Sequence, residues 1–391
     1  MDQLPPRISQ PAIFGLLVDS LAVRPSGADT AGLRLRLLDP ATSWQALTDC
    51  ALGQDALFPL IWALHRRSLL LPLPKAATHH RGGDHPTRAL AAVYEQHLAR
   101  LRAQRAQLVA IIAALSAAGI VPLMLKGARY LVAPVGPWCE ARSMRDIDLL
   151  VRKHEAPAAM AALEREGYRS DRQFGPMDQH LPELWKEGCP SAVEIHIEAL
   201  SFSARKLLAT DVVWERATRV MTEAGAVLVL PLEWHLLHGL LNHQVSDRGH
   251  ARRLLAIKAL WEFAMLADAL PEEAWRSIAD HMAARDGADV LGSWLVQAAT
   301  LLGLAYPSGV AVSAEARAHA QRTFAHAARP DWVRRGFFLA DQLRFGFARE
   351  TMAVRYGLAE SDVSPLTAAR HARFLMRYYR GQVLRRLTGR A

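Results

Sequence analysis

Cysteine is scarce in this chain of 391 residues, which argues against protein classes whose folds depend on disulfides or on zinc. The three cysteines, Cys50, Cys139 and Cys189, are far apart and form no Cys-x-x-Cys pair. This argues against a disulfide framework or a zinc ribbon as the basis of the fold. We therefore expect a protein of the reducing cytoplasm.

Long uninterrupted apolar runs are also missing. Residues 1–7 lack the basic segment followed by an apolar run that marks a signal peptide. The longest apolar stretch, residues 108–125, has the length of a membrane span, but Gly119 and Pro122 divide it. We predict instead a helix that ends near Ala118 and a strand over 120–125, with no membrane partner.

The composition is that of a globular protein, since 51% of the residues are hydrophobic, and the formal net charge is +9. A polyanionic partner, a triphosphate ligand and simple solubility all agree with that charge. Residues 370–390 contain seven arginines and no acid. They alternate with aromatic residues at helical spacing, which is more typical of an amphipathic terminal helix than of a nucleic-acid motif. A nucleic-acid partner is therefore not favoured.

Apolar periodicity divides the chain into three regions. Residues 1–85 have apolar residues at helical spacing. A polar loop at 76–87 marks the boundary to the second region. Helix and strand patterns alternate in residues 86–203, and helical patterns return in 204–391, apart from a short strand at 227–230. The predicted domains are a helical region (1–85), a core (86–203) and a second helical domain (204–391), and the fold class is α+β.

Asp146-Ile147-Asp148 is the most informative motif. Two acids separated by one apolar residue on a strand point to the same face of a sheet. Two such carboxylates can share a pair of divalent cations, which stabilise the attacking and leaving oxygens of a phosphoryl displacement. Arg142 and Arg145 precede the motif, and each can bind phosphate oxygens through two N–H groups of its guanidinium at once. Taken alone, an Asp-x-Asp is more often a charged strand end that faces water.

Two further features lie on either side of this motif. At Lys126-Gly127 a predicted strand gives way to a helix, and such a turn suits phosphate because it exposes backbone N–H groups and permits close approach. Residues 192–198 alternate apolar and polar side chains, so Glu194 and His196 share the polar face of a strand. Glu194 can complete a metal site or accept a proton. Alone, each signal is weak.

Together the three features resemble the DNA polymerase β-like nucleotidyltransferase superfamily, and more closely a bacterial family of uncharacterised nucleotidyltransferases. The resemblance rests on Leu125-Lys126-Gly127, Arg142, the run from Asp146 to Val151, His180, and Glu194-Ile195-His196. Residues 233–243 and 258–262 resemble later helices of the family, with Glu262 where an aspartate is usual. The superfamily's Gly-Ser is replaced by Lys126-Gly127, so a hydroxyl contact to phosphate is absent.

The resemblance implies a small mixed sheet as the nucleotidyltransferase core, with flanking mainly helical domains. It implies transfer of a nucleoside monophosphate from a nucleoside triphosphate, with ATP expected, to an acceptor hydroxyl on a peptide, protein or small molecule, with release of pyrophosphate. Mg²⁺, or Mn²⁺ in its place, would be the cofactor. The implied catalytic residues, which are also the metal ligands, are Asp146, Asp148 and Glu194. The implied nucleotide-binding residues are Lys126, Gly127, Arg142, Arg145, His180 and His196.

Two alternatives use the same residues. The fold could serve as a catalytically inactive module that binds a nucleotide or a nucleic acid, or the metals could support phosphotransferase chemistry on the γ-phosphate. The intact set of three acids favours an enzyme. In an enzyme, the variant Asp148→Asn is expected to abolish turnover and to leave the fold intact.

Other candidate residues are better explained by packing. His235, His238 and His243 lie near one face of a predicted helix, but their spacing does not suit zinc, and we expect buried histidines there. Tyr130 and Trp138 could stack on a base, although core packing is the simpler interpretation.

Overall fold

The structure, a computed structural model, describes residues 7–70, 86–170 and 179–387. The described residues form two compact units, of which unit 1 extends to Pro330 and unit 2 begins at Asp331. The polar loop predicted at 76–87 as a domain boundary lies almost entirely outside the described residues. The three predicted domains, 1–85, 86–203 and 204–391, stay a prediction.

Unit 1 begins with a helical layer. Ser26 and Asp29 close a capping box at the start of the second helix, and the side chain of Ser43 caps the third. The layer consists of α1 (Pro11–Ser20), α2 (Gly27–Leu38), α3 (Trp44–Gly53), α4 (Leu57–Arg66) and the long α5 (Pro86–Ala117). Gly119, at φ +73°, then turns the chain into the sheet.

The centre of unit 1 is a five-stranded mixed sheet in the order β3-β2-β1-β5-β4. Strand β2 pairs in parallel with β3 and antiparallel with β1, while β5 pairs in parallel with β1 and antiparallel with β4. The strands are β1 (Leu123–Met124), β2 (Asp146–Leu150), β3 (Ala192–His196), β4 (Thr218–Thr222) and β5 (Gly225–Val229). The intervening helices are α6 (Lys126–Val132), α7 (Ala156–Arg165) and α8 (Thr210–Arg216).

Helices follow the sheet to the end of unit 1. They are α9 (Leu232–Leu241), α10 (Gly249–Arg252), α11 (Ile257–Ala267), α12 (Glu272–Ala283), α13 (Ala288–Leu302) and α14 (Ala314–Ala327). The small mixed sheet and its flanking helices confirm the predicted α+β class. Strands β4 and β5 lie beyond residue 203 and still belong to the same sheet.

The apolar face of the sheet determines where a site can form. Ile147 and Leu149 of β2 and Val193 and Ile195 of β3 are fully buried, in one cluster with residues of α5 and α7. Because strand side chains alternate, the residues between them point to the opposite face. That second face carries the acids and the histidine of the sequence motifs.

Unit 2 is a smaller helical assembly. It contains α15 (Asp331–Gly346), α16 (Arg349–Tyr356) and α17 (Pro365–Leu387). Gly357, at φ +64°, ends α16, and a core cluster forms around Met352, Ala353 and Val363. Among the residues that the structure describes, none of the helices is long and apolar enough to cross a membrane.

Candidate active site

The pairing of β2 with β3 brings two carboxylates side by side. In this parallel register Asp148 lies opposite Glu194, and Leu150 lies opposite His196. Asp146 is paired with Ala192 at the start of the strands. The predicted common face of the Asp-x-Asp motif and of Glu194 is therefore present on two neighbouring strands.

Asp148, Glu194 and His196 form a compact cluster. One oxygen or nitrogen from each lies within 4.8 Å of the other two. The Nε2 atom of His196 is 3.0 Å from Asp148 Oδ1 and 3.4 Å from Glu194 Oε2. His196 is completely buried and Asp148 is 6% exposed, so solvent screens these interactions weakly.

Lys126 adds a cation to this cluster. It begins α6 directly after β1, and its Nζ lies 2.6 Å from Asp148 Oδ1. Its φ of 44° is in the left-handed region, which costs a residue with a side chain about 1 kcal/mol or more. Burial alone would lower the pKa of Lys126, but the neighbouring Asp148 carboxylate raises it. The lysine therefore stays charged.

The charges of the cluster act on the three acids differently. Burial would raise the pKa of Asp148, but Lys126 and His196 outweigh it and hold that pKa well below its usual range. For Glu194 the hydrogen bond from His196 likewise outweighs burial and lowers the pKa. Asp146 lacks such partners, so burial and the negative charges of Glu194 and Asp148 raise its pKa to about 6. Negative charges therefore outnumber positive ones around Asp146.

His180 lies at the edge of the cluster. Its backbone forms a bridge with that of His196, and its ring centroid is 5.2 Å from the ring of His196. The Nδ1 atom donates to the Leu181 carbonyl oxygen at 2.8 Å, and Nε2 is 4.0 Å from Glu194 Oε1. His180 is therefore held by the backbone with its second nitrogen directed towards the acids.

A second, partly buried ion pair lies beside the first turn of α6. Arg142 Nε donates to Glu262 Oε2 at 2.8 Å, and the Tyr130 hydroxyl donates to Glu262 Oε1 at 2.9 Å. A Cβ on Gly127 would stand 2.1 Å from both Arg142 Nη1 and Met144 Sδ. The absence of a side chain at Gly127 is therefore needed for the packing of these two residues.

Residues 42–303, well over half of the chain, match the family model described as "Uncharacterised nucleotidyltransferase". The chain belongs to this nucleotidyltransferase family. Searches of the curated proteins and of the solved structures found no match.

In this nucleotidyltransferase the structure brings most of the predicted site residues together. Lys126, Asp148, Glu194 and His196 are in direct contact, and His180 lies next to them. Asp146 interacts with the cluster through its charge. The roles of all these residues stay predictions.

Three predicted residues stand apart from the direct contacts. Arg142 is bonded to Glu262, Gly127 is packed beneath Arg142 and Met144, and Arg145 is exposed just before β2. From the sequence, Glu262 is identified only as the residue at a position where the family usually has an aspartate. No sequence signal connects it with Arg142, because 120 residues separate the two.

His235, His238, Tyr130 and Trp138 are buried, as packing predicts, whereas His243 is of intermediate exposure. His235 is 3% exposed and packs edge-on against Tyr130, while His238 Nε2 donates to the Ala199 carbonyl oxygen at 2.9 Å. Tyr130 and Trp138 contact each other in the core. Within the described residues, Asp148, Glu194 and His196 form a group of three side chains that could bind a metal, and none of these other histidines belongs to such a group.

The donor atoms of the cluster fit a divalent cation. Two carboxylates supply the oxygen ligands that Mg²⁺ and Mn²⁺ prefer, and His196 supplies a nitrogen. A nitrogen donor suits Mn²⁺ better than Mg²⁺, which is bound mainly by oxygen. The raised pKa of Asp146 agrees with a site whose negative charge a cation would balance.

Proposed function

We propose that this family member transfers a nucleoside monophosphate from a nucleoside triphosphate, with ATP as the expected donor, to an acceptor hydroxyl. Pyrophosphate is the leaving group. The observation that carries the proposal is the set of three acids, Asp146, Asp148 and Glu194, on neighbouring strands beside Lys126. The acceptor belongs to a peptide, a protein or a small molecule.

Asp146, Asp148 and Glu194 would hold Mg²⁺ or Mn²⁺. When bound, such ions stabilise the charge that develops on the attacking and leaving oxygens. Glu194 is ionised at neutral pH because its pKa is lowered, so it can accept the proton of the acceptor hydroxyl. Asp148, held by Lys126 and His196, keeps its charge and its orientation.

The nucleotide would be bound by the cations around the acids. Lys126 can release Asp148 and turn its ammonium group to a phosphate oxygen, and Arg145 is exposed at the start of β2. Arg142, fixed through Nε by Glu262, keeps its other nitrogens for a second partner. His180 Nε2, the Gly127 backbone and His196 complete the proposed binding residues.

The test is a transfer assay on the full chain. The protein is incubated with each nucleoside triphosphate, with Mg²⁺ or Mn²⁺, and with cell extract as the source of acceptors. Released pyrophosphate and the mass of modified products are measured together. We expect pyrophosphate and a nucleoside monophosphate adduct, both absent with Asp148→Asn. Glu198→Gln is the matched control, since Glu198 follows β3 but pairs with Arg205 and Thr210.

Two results would contradict the proposal. A diphosphate product with a phosphate-sized adduct would move the reaction to the phosphotransferase class. Nucleotide binding by calorimetry, without release of pyrophosphate or phosphate under any of these conditions, would indicate a non-catalytic binding module. Metal binding has its own readout, because Mn²⁺ can be followed by electron paramagnetic resonance without turnover.

A further inference from the structure

A groove of about 390 Å³ lies on unit 2, at the surface of α16 and α17. It lies outside residues 42–303, the part of the chain that matches the family. Three of its lining residues are arginines of α17, and others are aromatic or aliphatic: Arg370, Arg373, Arg377, Tyr356, Leu366 and Phe374.

The groove is strongly basic. Arg370, Arg373 and Arg377 are spaced by three and four residues, which puts them on one face of α17, and all three are exposed. No carboxylate in the described part of the chain pairs with any of them. Residues 331–391 contain twelve arginines, no lysine and five acids. An occupant of the groove must therefore be anionic.

The groove also has an apolar component. Leu366 is 80% exposed and Phe374 is 38% exposed. An inorganic anion would leave this surface uncovered, whereas a ligand with an apolar side chain would bury it. The occupant therefore combines negative charge with an apolar group.

The aromatic rings of the groove do not offer stacking surfaces for bases. The guanidinium of Arg355 lies 4.6 Å from the ring centroid of Phe374, and His371 stacks on the same ring at 5.9 Å. The guanidinium of Arg370 lies 4.9 Å from the ring of Tyr356. Single-stranded nucleic acid is bound largely by stacking on free rings, so these covered rings argue against it.

From this combination we propose that the groove binds an acidic peptide segment, in which an aromatic or aliphatic residue lies between glutamates or aspartates. Each planar guanidinium group can donate two parallel hydrogen bonds to a carboxylate. The apolar residue would lie on Leu366, which is 80% exposed. This binding site is independent of the transfer chemistry proposed for unit 1.

The test is fluorescence anisotropy with the full chain and a labelled peptide of glutamates around a single phenylalanine. We expect saturable binding that Arg370→Glu/Arg373→Glu weakens by about tenfold or more. The matched control is Arg335→Glu/Arg344→Glu, which changes the net charge equally at two exposed arginines of α15. The control is expected to bind as the unmodified chain does, and circular dichroism verifies that both variants are folded.

Four outcomes would overturn the proposal. Equal loss of binding in both double variants would indicate attraction to net charge alone. Equal binding of a glutamate peptide without phenylalanine would remove the apolar contact. Tighter binding of oligouridine RNA, lost in Arg370→Glu/Arg373→Glu, would make the groove a nucleic-acid surface. Failure of the peptide to bind at all overturns it directly.

Discussion

The two units of this chain place their charged residues in different surroundings. The sequence up to residue 330 has a net charge of only +2, whereas residues 331–391 have +7 of the total of +9. In unit 1 most of the site charges are partly or fully buried, and several are paired, as in Lys126 with Asp148 and Arg142 with Glu262. In unit 2 the arginines of the groove are exposed and have no carboxylate partner among the described residues.

This difference indicates which kind of interaction each unit can support. Buried charges fix the geometry of a few atoms and act strongly on each other, as the raised pKa of Asp146 and the lowered pKa of Asp148 and of Glu194 show. Exposed charges attract a partner over a distance and are screened by salt. The family match covers residues 42–303, so it includes the candidate site of unit 1 and does not include the groove of unit 2.

The largest expected effect is that of Asp148→Asn. We expect transfer to fall about a thousandfold, because the proposed cation site loses one of its carboxylate ligands. The sequence alone predicts that the fold stays intact. The structure changes this expectation, since the partly buried Lys126 and the buried His196 would lose their partner, at a cost of about 3–5 kcal/mol of unfolding free energy.

Urea denaturation measures this cost, and an exposed ion pair supplies the comparison. Glu273 and Arg276 pair through side chains that are 77% and 57% exposed, so Glu273→Gln is expected to cost less than about 1 kcal/mol. Equal costs for the two variants would contradict the contrast between buried and exposed ion pairs.

Gly127→Ala is expected to destabilise unit 1 by about 1–3 kcal/mol. The added Cβ would stand 2.1 Å from Arg142 Nη1 and Met144 Sδ, so both side chains must move. The melting temperature would fall, and the displaced Arg142 would weaken its bond to Glu262. An unchanged melting temperature would mean that the packing around Gly127 is looser than the structure has it.

Unit 1 is expected to lose stability as the pH falls from 6.5 towards 4. Burial lowers the pKa to about 4 for four of its histidines, His97, His238, His243 and His250. The unfolded chain, with ordinary histidines, binds more protons over this range, so acid favours unfolding. Asp146 and His196, with raised pKa values, act in the opposite sense but are fewer.

Hydrogen exchange, corrected for the intrinsic pH dependence of the amides, can measure this effect in the two units separately. Unit 2 has one histidine, His371, with a lowered pKa. We therefore expect peptides from unit 1 to lose more protection than peptides from unit 2. A greater loss in unit 2 would contradict the assignment of the acid sensitivity to buried histidines.

The smallest effect is expected for Gly336→Ala in α15, and its sign is opposite to that of Gly127→Ala. A Cβ at Gly336 would meet no atom within 4 Å. Alanine favours a helix over glycine by about 0.5–1 kcal/mol, so unit 2 should become more stable by that amount. Loss of protection in the hydrogen exchange of α15 would show that the position is more crowded than it is in the structure.

The sequence predicts local patterns of this fold better than distant pairings. Alternation identifies β3 and places Glu194 and His196 on its polar face, and the Asp-x-Asp spacing does the same for β2. The strand predicted over 120–125 is reduced to Leu123–Met124, because Pro122 has no N–H and α6 begins at Lys126. Strand β4 was not predicted, since this exposed edge strand buries no complete apolar face.

Within the candidate site, contacts between distant residues could not be predicted. Nothing in the sequence indicates that His196 contacts Asp148, because this depends on the register of β2 and β3. The bond between Arg142 and Glu262 depends in turn on the packing of α11 beside α6. Such contacts follow from tertiary structure, whereas the pattern of residue types along each strand is set locally.

The register of β2 and β3 also connects folding with activity. The two strands are joined by about 40 residues, and side chains change faces with every single-residue shift. A chain with β3 displaced by one position would place Glu194 and His196 in the apolar core and Val193 and Ile195 among the acids. Such a misfolded molecule would lack the proposed cation site, so under the proposed function its turnover per molecule would report the correctly folded fraction of a preparation.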